Sequence, residues 1–135
     1  MRILGLDVGT KRIGISLSDA LGIIATPVPA ISRDSHSVEK IREICKTNGV
    51  KKIIVGLPKH MNGEIGVQAE DCMNFAKNFK DEFEIIFEDE RLTSREAERN
   101  LAFVGKKYTR NKGLVDTESA CIILQQYLDR KQETK

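Results

Sequence analysis

The chain has 135 residues, of which 40% are hydrophobic and 31% are charged, which is ordinary for a globular protein and excludes a disordered or fibrous one. Its formal net charge of +2 excludes a strongly basic protein, so any anion-binding surface must arise from the local distribution of charge. The length predicts one domain over residues 1–135, with no room for a second core of ordinary size.

Three cysteines lie far apart and form no Cys-x-x-Cys pair: Cys45, Cys72 and Cys121. Their spacing predicts neither a zinc site nor a disulfide framework, so we expect core thiols in a reducing cytosol. No segment approaches the roughly 20 apolar residues that span a bilayer, and the N-terminus lacks the apolar core of a signal peptide. We therefore expect a cytoplasmic protein without a membrane partner.

Three β-rich runs open the chain. Ile3 to Val8 and Arg12 to Ser18 are separated by a short glycine-containing connection, which predicts a hairpin. A third strand is predicted within Ile23 to Ile31, which contains two prolines. Because proline cannot donate to a sheet ladder, this strand should lie at a sheet edge or be irregular.

Helices and strands alternate after the third strand. Asp34 and Ser35 are predicted to cap a helix that ends at Gly49. The elements predicted next are a buried parallel strand over Lys52 to Leu57, a helix over Val67 to Phe79 and a strand over Phe83 to Phe87. The order then continues with a helix opened by the capping box Thr93 to Glu96 and a last amphipathic helix that contains Ala120 to Leu128. Three meandering strands followed by βα units predict an α/β fold, with a mixed five-stranded sheet flanked by helices.

Asp7 places a carboxylate in the apolar run of the first strand. A buried carboxylate is strongly disfavoured unless it is paired, hydrogen-bonded or bound to a cation. Strand alternation puts Gly5 and Asp7 on one face, and Gly5 and Gly9 predict bare backbone where a phosphate or a hydrated metal ion can approach. The alternative is that Asp7 accepts amide hydrogens from the following turn.

A second acidic position follows the fifth strand of the predicted sheet. Glu88-Asp89-Glu90 lies at the carboxyl end of the fifth strand, the edge where ligands bind in open α/β sheets. Glu90 is favoured over Glu88 because it is nearest to the next helix, although Glu88 stays open. The alternative is a solvated strand end in which Asp89 or Glu90 pairs with Arg91.

Asp116 precedes the last helix, where a simple N-cap is the alternative to a functional role. If Asp116 joins Asp7 and the acid of the fifth strand, the three carboxylates repel one another unless they hold Mg²⁺ or Mn²⁺. Such an ion polarises a phosphodiester and activates water. The hypothesis is hydrolytic cleavage of phosphodiester bonds.

Basic residues cluster at two places. Lys11 and Arg12 follow the turn after Asp7, and GKKYTRNKG at 105–113 combines four cations and an aromatic ring without an acid, which favours nucleic-acid binding. A solvated surface is the alternative at both places. The candidate substrate-binding residues are Lys11, Arg12, Arg91, Lys106, Lys107, Tyr108, Arg110 and Lys112.

Several separated motifs resemble the YqgF/RuvX family of ribonuclease H-like proteins. They are GLDVGTKRIGISLSD at 5–19, GLPKHMNG at 56–63, GVQAE at 66–70, DERLTSREAE at 89–98 and KGLVDTESACIILQQYLD at 112–129. The resemblance covers nearly the whole chain. The chain departs from the pattern at Ser16, where the family often has alanine, and we expect this exchange to have no important consequence.

The resemblance implies a ribonuclease H-like fold and a divalent-metal nuclease site, with Mg²⁺ or Mn²⁺ held by Asp7, Glu90 and Asp116. It also implies a bacterial role in processing the 5′ end of precursor 16S ribosomal RNA. The sequence leaves open endonuclease or exonuclease action, a monomer or a homodimer, and ribosomal or transcription proteins as partners.

Three other functions are weighed against that one. A Holliday junction resolvase would use the same chemistry on four-way DNA, and fold-level analogy alone does not choose between them. A non-catalytic ribosome-assembly or transcription-associated module would bind nucleic acid without needing Asp7. An actin-like ATPase or sugar kinase shares the opening D-x-G-T hairpin, but the chain has the length of only one of the two lobes such proteins need.

Overall fold

The computed structural model describes residues 2–58, 65–89 and 112–133, and within the last segment it describes the side chains of residues 119–131. Its strands are β1 (Ile3–Val8), β2 (Arg12–Ser18), β3 (Ala25–Ser32), β4 (Lys52–Leu57) and β5 (Glu84–Asp89). Its helices are α1 (Ser37–Asn48), α2 (Val67–Ala76), which continues into a 3₁₀ turn (Lys77–Phe79), and α3 (Lys112–Glu133).

The five strands form one mixed sheet in the order β3-β2-β1-β4-β5. The β1–β2 and β2–β3 pairs are antiparallel, whereas β4 is parallel to both β1 and β5. The predicted mixed sheet and hairpin are confirmed. β3 lies at the sheet edge, as its prolines predict, and its pairing with β2 shifts register between Ile13 and Ile15.

Three predicted element ends are wrong. β5 ends at Asp89 rather than Phe87, because Glu88 and Asp89 still pair with Gly56 and Leu57. α3 begins at Lys112, so Asp116 lies inside the helix and is not its N-cap. At its other end the helix continues to Glu133, although the tail from Lys131 is predicted to be frayed.

The start of α1 also differs from its prediction. Its N-cap is His36, which makes no side-chain capping hydrogen bond. Asp34 instead accepts a hydrogen bond from the His36 amide (2.8 Å) in the turn before the helix. The predicted end at Gly49 is confirmed, since this glycine adopts the left-handed conformation with φ 67°.

Each face of the sheet is covered by different helices. On one face, Leu4, Leu6 and Val8 of β1 pack with Ile41 of α1 and with Phe79 of the 3₁₀ turn that follows α2. On the other face, Ile3, Ile54 and Ile86 of the sheet pack with α3 residues that include Leu124 and Leu128. The alternation predicted for β1 is therefore confirmed, and Asp7 belongs to the α3 face.

The three cysteines are buried thiols that form no disulfide, as predicted. No helix in the described segments combines the length and the apolar character that crossing a bilayer requires.

The backbone at Gly5 has no space beside it for a ligand, contrary to the prediction. A Cβ atom there would lie 2.4 Å from Ser16 Oγ, 2.8 Å from Leu124 Cβ and 3.1 Å from the Ala120 carbonyl oxygen. The absent side chain is needed for the close approach of α3 to β1. Ser16 also has a specific part in this contact, because its hydroxyl donates a buried hydrogen bond to the Ala120 carbonyl (2.8 Å).

Gln125 fixes α3 to the start of β3. Its Oε1 accepts from the Ala25 amide (2.9 Å), and its Nε2 donates to the Ile23 carbonyl (2.8 Å) and to Asp129 Oδ1 (3.0 Å). The side chain is buried, and these bonds meet the requirement that a buried amide be hydrogen-bonded. The helix is therefore held at a defined position across the sheet.

Two carboxylates make folding sensitive to acid. Hydrogen bonding and charge from Arg33 lower the pKa of Asp71, and amide donors led by Ile24 lower the pKa of Asp19. A lowered folded-state pKa contributes stability above the unfolded value, and that stability is lost as pH falls through the folded value.

We therefore expect the urea midpoint to fall as pH drops below about 4, the ordinary range of an aspartate pKa. Asp71→Asn should lower the midpoint at pH 7 and flatten this acid dependence. Urea titrations of both proteins at pH 7, 4 and 3 measure the effect. Equal acid sensitivity in the two proteins would show that the ion pair with Arg33 does not contribute.

Candidate active site

A cleft of about 230 Å³ opens between α3 and the carboxyl ends of β1 and β5. Its lining combines three carboxylates from the sheet with a stripe of α3 side chains: Asp7, Glu88, Asp89, Ser119, Ile122, Ile123 and Gln126. The helical members follow the i, i+3, i+4, i+7 spacing that places residues on one helix face. The cleft lies at the edge of the sheet that the sequence predicts for ligand binding.

The sheet register brings Asp7 and Glu88 to the same row of the α3 face. Leu6 pairs with Val55, so Asp7 follows beside Gly56, and Gly56 pairs with Glu88. Adjacent strands lie about 4.8 Å apart, which puts the two acidic residues roughly 10 Å apart at the backbone. Gly56 contributes no side chain between them, so this row of the sheet is not filled by β4.

Glu88 is already engaged by the protein. Its carboxylate is only 2% exposed and forms a two-pronged ion pair with Arg130, whose Nη1 and Nη2 each lie 2.6 Å from one oxygen. Gln126 Nε2 donates a third hydrogen bond to Oε2 (2.8 Å). The alternative of a solvated acidic strand end is therefore wrong for Glu88.

The three predicted catalytic acids are not all described by the structure. Asp7 is partly buried and lines the cleft. Asp116 lies in α3 by its backbone, but its side chain is outside the described residues, as is the whole of Glu90. Among the side chains that are described, no group of three or more His, Cys, Asp or Glu residues is arranged to hold a metal ion.

Lys11 and Arg12 lie exposed on the β1–β2 turn, beside the carboxyl end of β1. The Gly9 amide donates to the Arg12 carbonyl (2.9 Å), and a Cβ at Gly9 would come within 2.7 Å of that oxygen. The turn therefore needs glycine at this position. Both cations lie at the edge of the sheet that also holds the cleft.

Arg33 secures the same turn. Its Nη1 donates to the Gly9 carbonyl (3.0 Å), while both terminal nitrogens bind the carboxylate of Asp71 on α2 (2.5 and 2.8 Å). Its guanidinium lies 5.2 Å from the centre of the Phe75 ring. The hairpin that follows Asp7 is thereby tied to a helix on the opposite face of the sheet.

The other predicted substrate contacts fall on residues that the structure does not describe, apart from one helix position. Lys112 is the first residue of α3, and only its backbone is described. Those outside are Arg91, Lys106, Lys107, Tyr108 and Arg110.

Three residues that shape the site were not among the predicted site residues. No local pattern singles out Arg33, because its partners Gly9 and Asp71 are distant in sequence. Gln126 and Arg130 do have a detectable signal, since they extend by four-residue steps the helical stripe that contains Ile122. That spacing places them on the cleft side of α3 once the helix face is known.

The arrangement of the sheet and helices is similar to that of two solved resolvase structures. The chain is similar to Thermus thermophilus RuvC in complex with a Holliday junction substrate, with a TM-score of 0.63 and 12% identity. The match covers 99% of this chain and 97% of the RuvC chain. The fowlpox virus resolvase in complex with Holliday junction DNA has a TM-score of 0.61 and 9% identity, covering 97% and 99% of the two chains. The fold class is therefore ribonuclease H-like, as the sequence predicts.

Sequence comparison identifies the family within that class. Residues 1–130 match the family model RuvX, described as Holliday junction resolvase. Relatives named "Putative pre-16S rRNA nuclease" include one from Sulfurihydrogenibium sp. (strain YO3AOP1), 46% identical over 96% of this chain and 90% of its own length. Another, from Lactococcus lactis subsp. lactis (strain IL1403), is 42% identical over 95% and 94%. The chain belongs to the RuvX family.

Proposed function

We propose that this protein is a cytoplasmic, divalent-metal-dependent nuclease that processes the 5′ end of precursor 16S ribosomal RNA. The observation that supports this most directly is Asp7 in a cleft between the carboxyl edge of the sheet and α3. The RNA substrate is proposed from the name of the relatives, which align with almost the whole chain. The nuclease is proposed to be a single domain over residues 1–135.

The proposed metal ligands are Asp7, Glu90 and Asp116. Both oxygens of Glu88 are bound by Arg130, which favours Glu90 as the acid supplied from the end of β5. Glu90 follows the last residue of β5 directly in the sequence. Asp116 lies in α3, three residues before Ser119, which lines the cleft.

This donor set fits a hard divalent cation. Carboxylate oxygens are the ligands that Mg²⁺ and Mn²⁺ prefer, and the described cleft offers neither thiol nor imidazole. When bound, such an ion polarises the phosphodiester and activates water. Asp7 is the ligand whose position the strand fixes, because β1 lies between β2 and β4 in the middle of the sheet.

Substrate positioning is proposed for the basic residues around the cleft. Lys11 and Arg12 contribute positive charge at the β1–β2 hairpin. The bonds from Arg33 to the Gly9 carbonyl and to Asp71 limit movement of its turn. Arg91, Lys106, Lys107, Arg110 and Lys112 are proposed to bind phosphates, and Tyr108 to stack on an unpaired base. Together they would guide a single-stranded RNA end towards Asp7.

A Holliday junction resolvase is the second candidate, because the matching family model has that description. Cutting two opposed strands requires a symmetric dimer, whereas a monomer can trim an RNA end. The two candidates therefore differ in oligomeric state as well as in substrate.

The substrate is tested by incubating the protein with precursor 16S RNA, unstructured single-stranded RNA and a four-way DNA junction. Each is assayed with Mg²⁺, with Mn²⁺ and with a chelator. We expect metal-dependent cleavage near the 5′ end of the precursor RNA and none with chelator. Preferential, symmetric cutting of the junction would favour the resolvase, while tight RNA binding without cleavage in any condition would favour a non-catalytic module.

A further inference from the structure

The buried bridge formed by Glu88, Arg130 and Gln126, here called the Glu88 bridge, joins the end of β5 to α3. Its three hydrogen bonds measure 2.6, 2.6 and 2.8 Å. Gln126 Nε2 also lies 3.4 Å from the carbonyl oxygen of Asp89. The bridge therefore reaches the main chain of the last residue in β5, directly before Glu90.

The chemistry of the bridge favours a precise geometry over a large gain in stability. A buried carboxylate and its cation lose hydration on folding, so the pair offsets that cost only with good geometry and satisfied hydrogen bonds. The planar guanidinium of arginine supplies such geometry by binding both carboxylate oxygens at once. The cation is half-exposed, with 51% of its side chain accessible, while Glu88 is buried.

The Glu88 bridge joins the two parts of the chain that are proposed to supply metal ligands. Glu90 follows β5 directly in the sequence and Asp116 lies in α3, and these two elements are otherwise joined through apolar contacts such as those of Ile86 and Leu128. Apolar contacts are not directional and define the axial position of a helix less sharply than a two-pronged ion pair does. Gln125 already fixes α3 to the start of β3, so the bridge adds the direct link between this helix and the end of β5. A shift of β5 relative to α3 would change the distance between the two acids.

We propose that the Glu88 bridge is a positioning device that sets the spacing of the metal ligands supplied by β5 and α3. Glu88 and Arg130 are positioning residues in this account, and neither contacts the ion. The inference rests on the proposed nuclease function, since it assumes the metal site at Asp7, Glu90 and Asp116. It adds residues that act through the placement of those ligands.

Variants of Arg130 distinguish an effect of ligand positioning on metal binding from an effect of charge alone. Loss of a cation near a group of carboxylates should by charge alone strengthen the binding of a divalent metal ion. Loss of positioning should weaken it. Arg130→Met therefore gives opposite results under the two explanations, and Arg130→Lys keeps the charge while removing the two-pronged geometry.

Mn²⁺ binding is measured on the protein without nucleic acid, by following free Mn²⁺ with electron paramagnetic resonance during a titration. We expect Arg130→Met to weaken binding about 10-fold or more, the usual effect of losing a group that orients metal ligands. Arg130→Lys, the variant less prone to unfold, should weaken binding to a smaller extent. Circular dichroism at the titration temperature confirms that each variant is folded.

Glu84→Gln is the matched control. Glu84 is the first residue of β5, and its Oε2 lies 3.3 Å from Lys52 Nζ. The variant therefore removes one ion pair of the same strand, about 13 Å from Glu88 at 3.3 Å per residue, and leaves the hydrogen bond between Lys52 and Tyr127 of α3 in place. We expect its Mn²⁺ affinity to equal that of the wild type.

The outcomes separate the two proposals. Unchanged or tighter Mn²⁺ binding by folded Arg130→Met and Arg130→Lys would overturn the positioning role and leave the metal site intact. An equal loss of affinity in Glu84→Gln would also overturn it, because the effect would then follow from general destabilisation. Absence of Mn²⁺ binding by the wild type would overturn the metal site and the positioning role together.

Discussion

Replacing Asp7 with asparagine is expected to reduce metal-dependent cleavage of precursor RNA by at least about 10²-fold, because metal-assisted charge stabilisation is worth several kcal/mol. The amide has the shape of the carboxylate but loses the negative charge that would hold the cation. Asp7 lies in a strand at the middle of the sheet, so its backbone position should persist in the variant. Initial cleavage rates at saturating Mg²⁺ measure the effect.

Asp81→Asn is the matched control for Asp7→Asn. Asp81 is exposed in the segment before β5, at the amino end of that strand and away from the cleft. Its replacement should leave both the cleavage rate and the melting temperature unchanged. Full activity in Asp7→Asn would remove Asp7 from the mechanism, and a large drop in its melting temperature would assign the residue a structural role.

Replacing Gly5 with alanine is expected to destabilise the protein by about 1–3 kcal/mol, the usual cost of inserting a methyl group into a well-packed core. The new Cβ would lie 2.4 Å from Ser16 Oγ and 2.8 Å from Leu124 Cβ. These contacts would force α3 away from β1, and α3 forms one wall of the cleft. Urea unfolding of wild type and variant measures the loss.

The double variant Gly5→Ala/Ser16→Ala identifies the source of that loss. Ser16→Ala alone should cost about 0.5–1.5 kcal/mol, because its hydrogen bond to the Ala120 carbonyl is lost. In the double variant the contact with Ser16 Oγ disappears, so the combined loss should be smaller than the sum of the single losses. A Gly5→Ala change within about 0.5 kcal/mol of wild type would show that α3 adjusts freely.

The local pattern of the sequence predicts the strands well where apolar residues define them. β1, β2 and β4 have the predicted ends, and the edge position of β3 follows from its prolines. β5 was harder to delimit, because its last two residues are acidic while the ladder with β4 continues through them. Pairing with a neighbouring strand is a tertiary property that hydrophobic alternation does not contain.

The start of α3 shows how local propensity is overridden. The predicted helix begins after Asp116 because aspartate is a common N-cap. The observed helix includes Gly113, although glycine disfavours a helix by about 1 kcal/mol relative to alanine. Helix propagation from the residues packed on the sheet adds one hydrogen bond per residue and extends the helix to Lys112. Asp116 consequently occupies a helix position rather than a cap.

The predictions about the candidate site were also correct in some parts and wrong in others. Alternation in β1 predicts the face of Asp7 correctly, and the carboxyl edge of the sheet is the predicted location. The role of Gly5 was wrong, because a single sequence does not tell which element covers a bare stretch of backbone. The partner of Glu88 was also beyond prediction, since Arg130 is 42 residues away and meets it only through the packing of α3.

Iron-mediated backbone cleavage tests most directly whether Asp7, Glu90 and Asp116 meet at one cation. Fe²⁺ in place of Mg²⁺, with ascorbate and peroxide, cuts the polypeptide beside the bound ion. We expect three groups of cuts, around residues 7, 90 and 116, that Mg²⁺ suppresses and Asp7→Asn removes. Cuts confined to one of these segments, or unaffected by Mg²⁺ and by the loss of Asp7, would contradict the shared metal site.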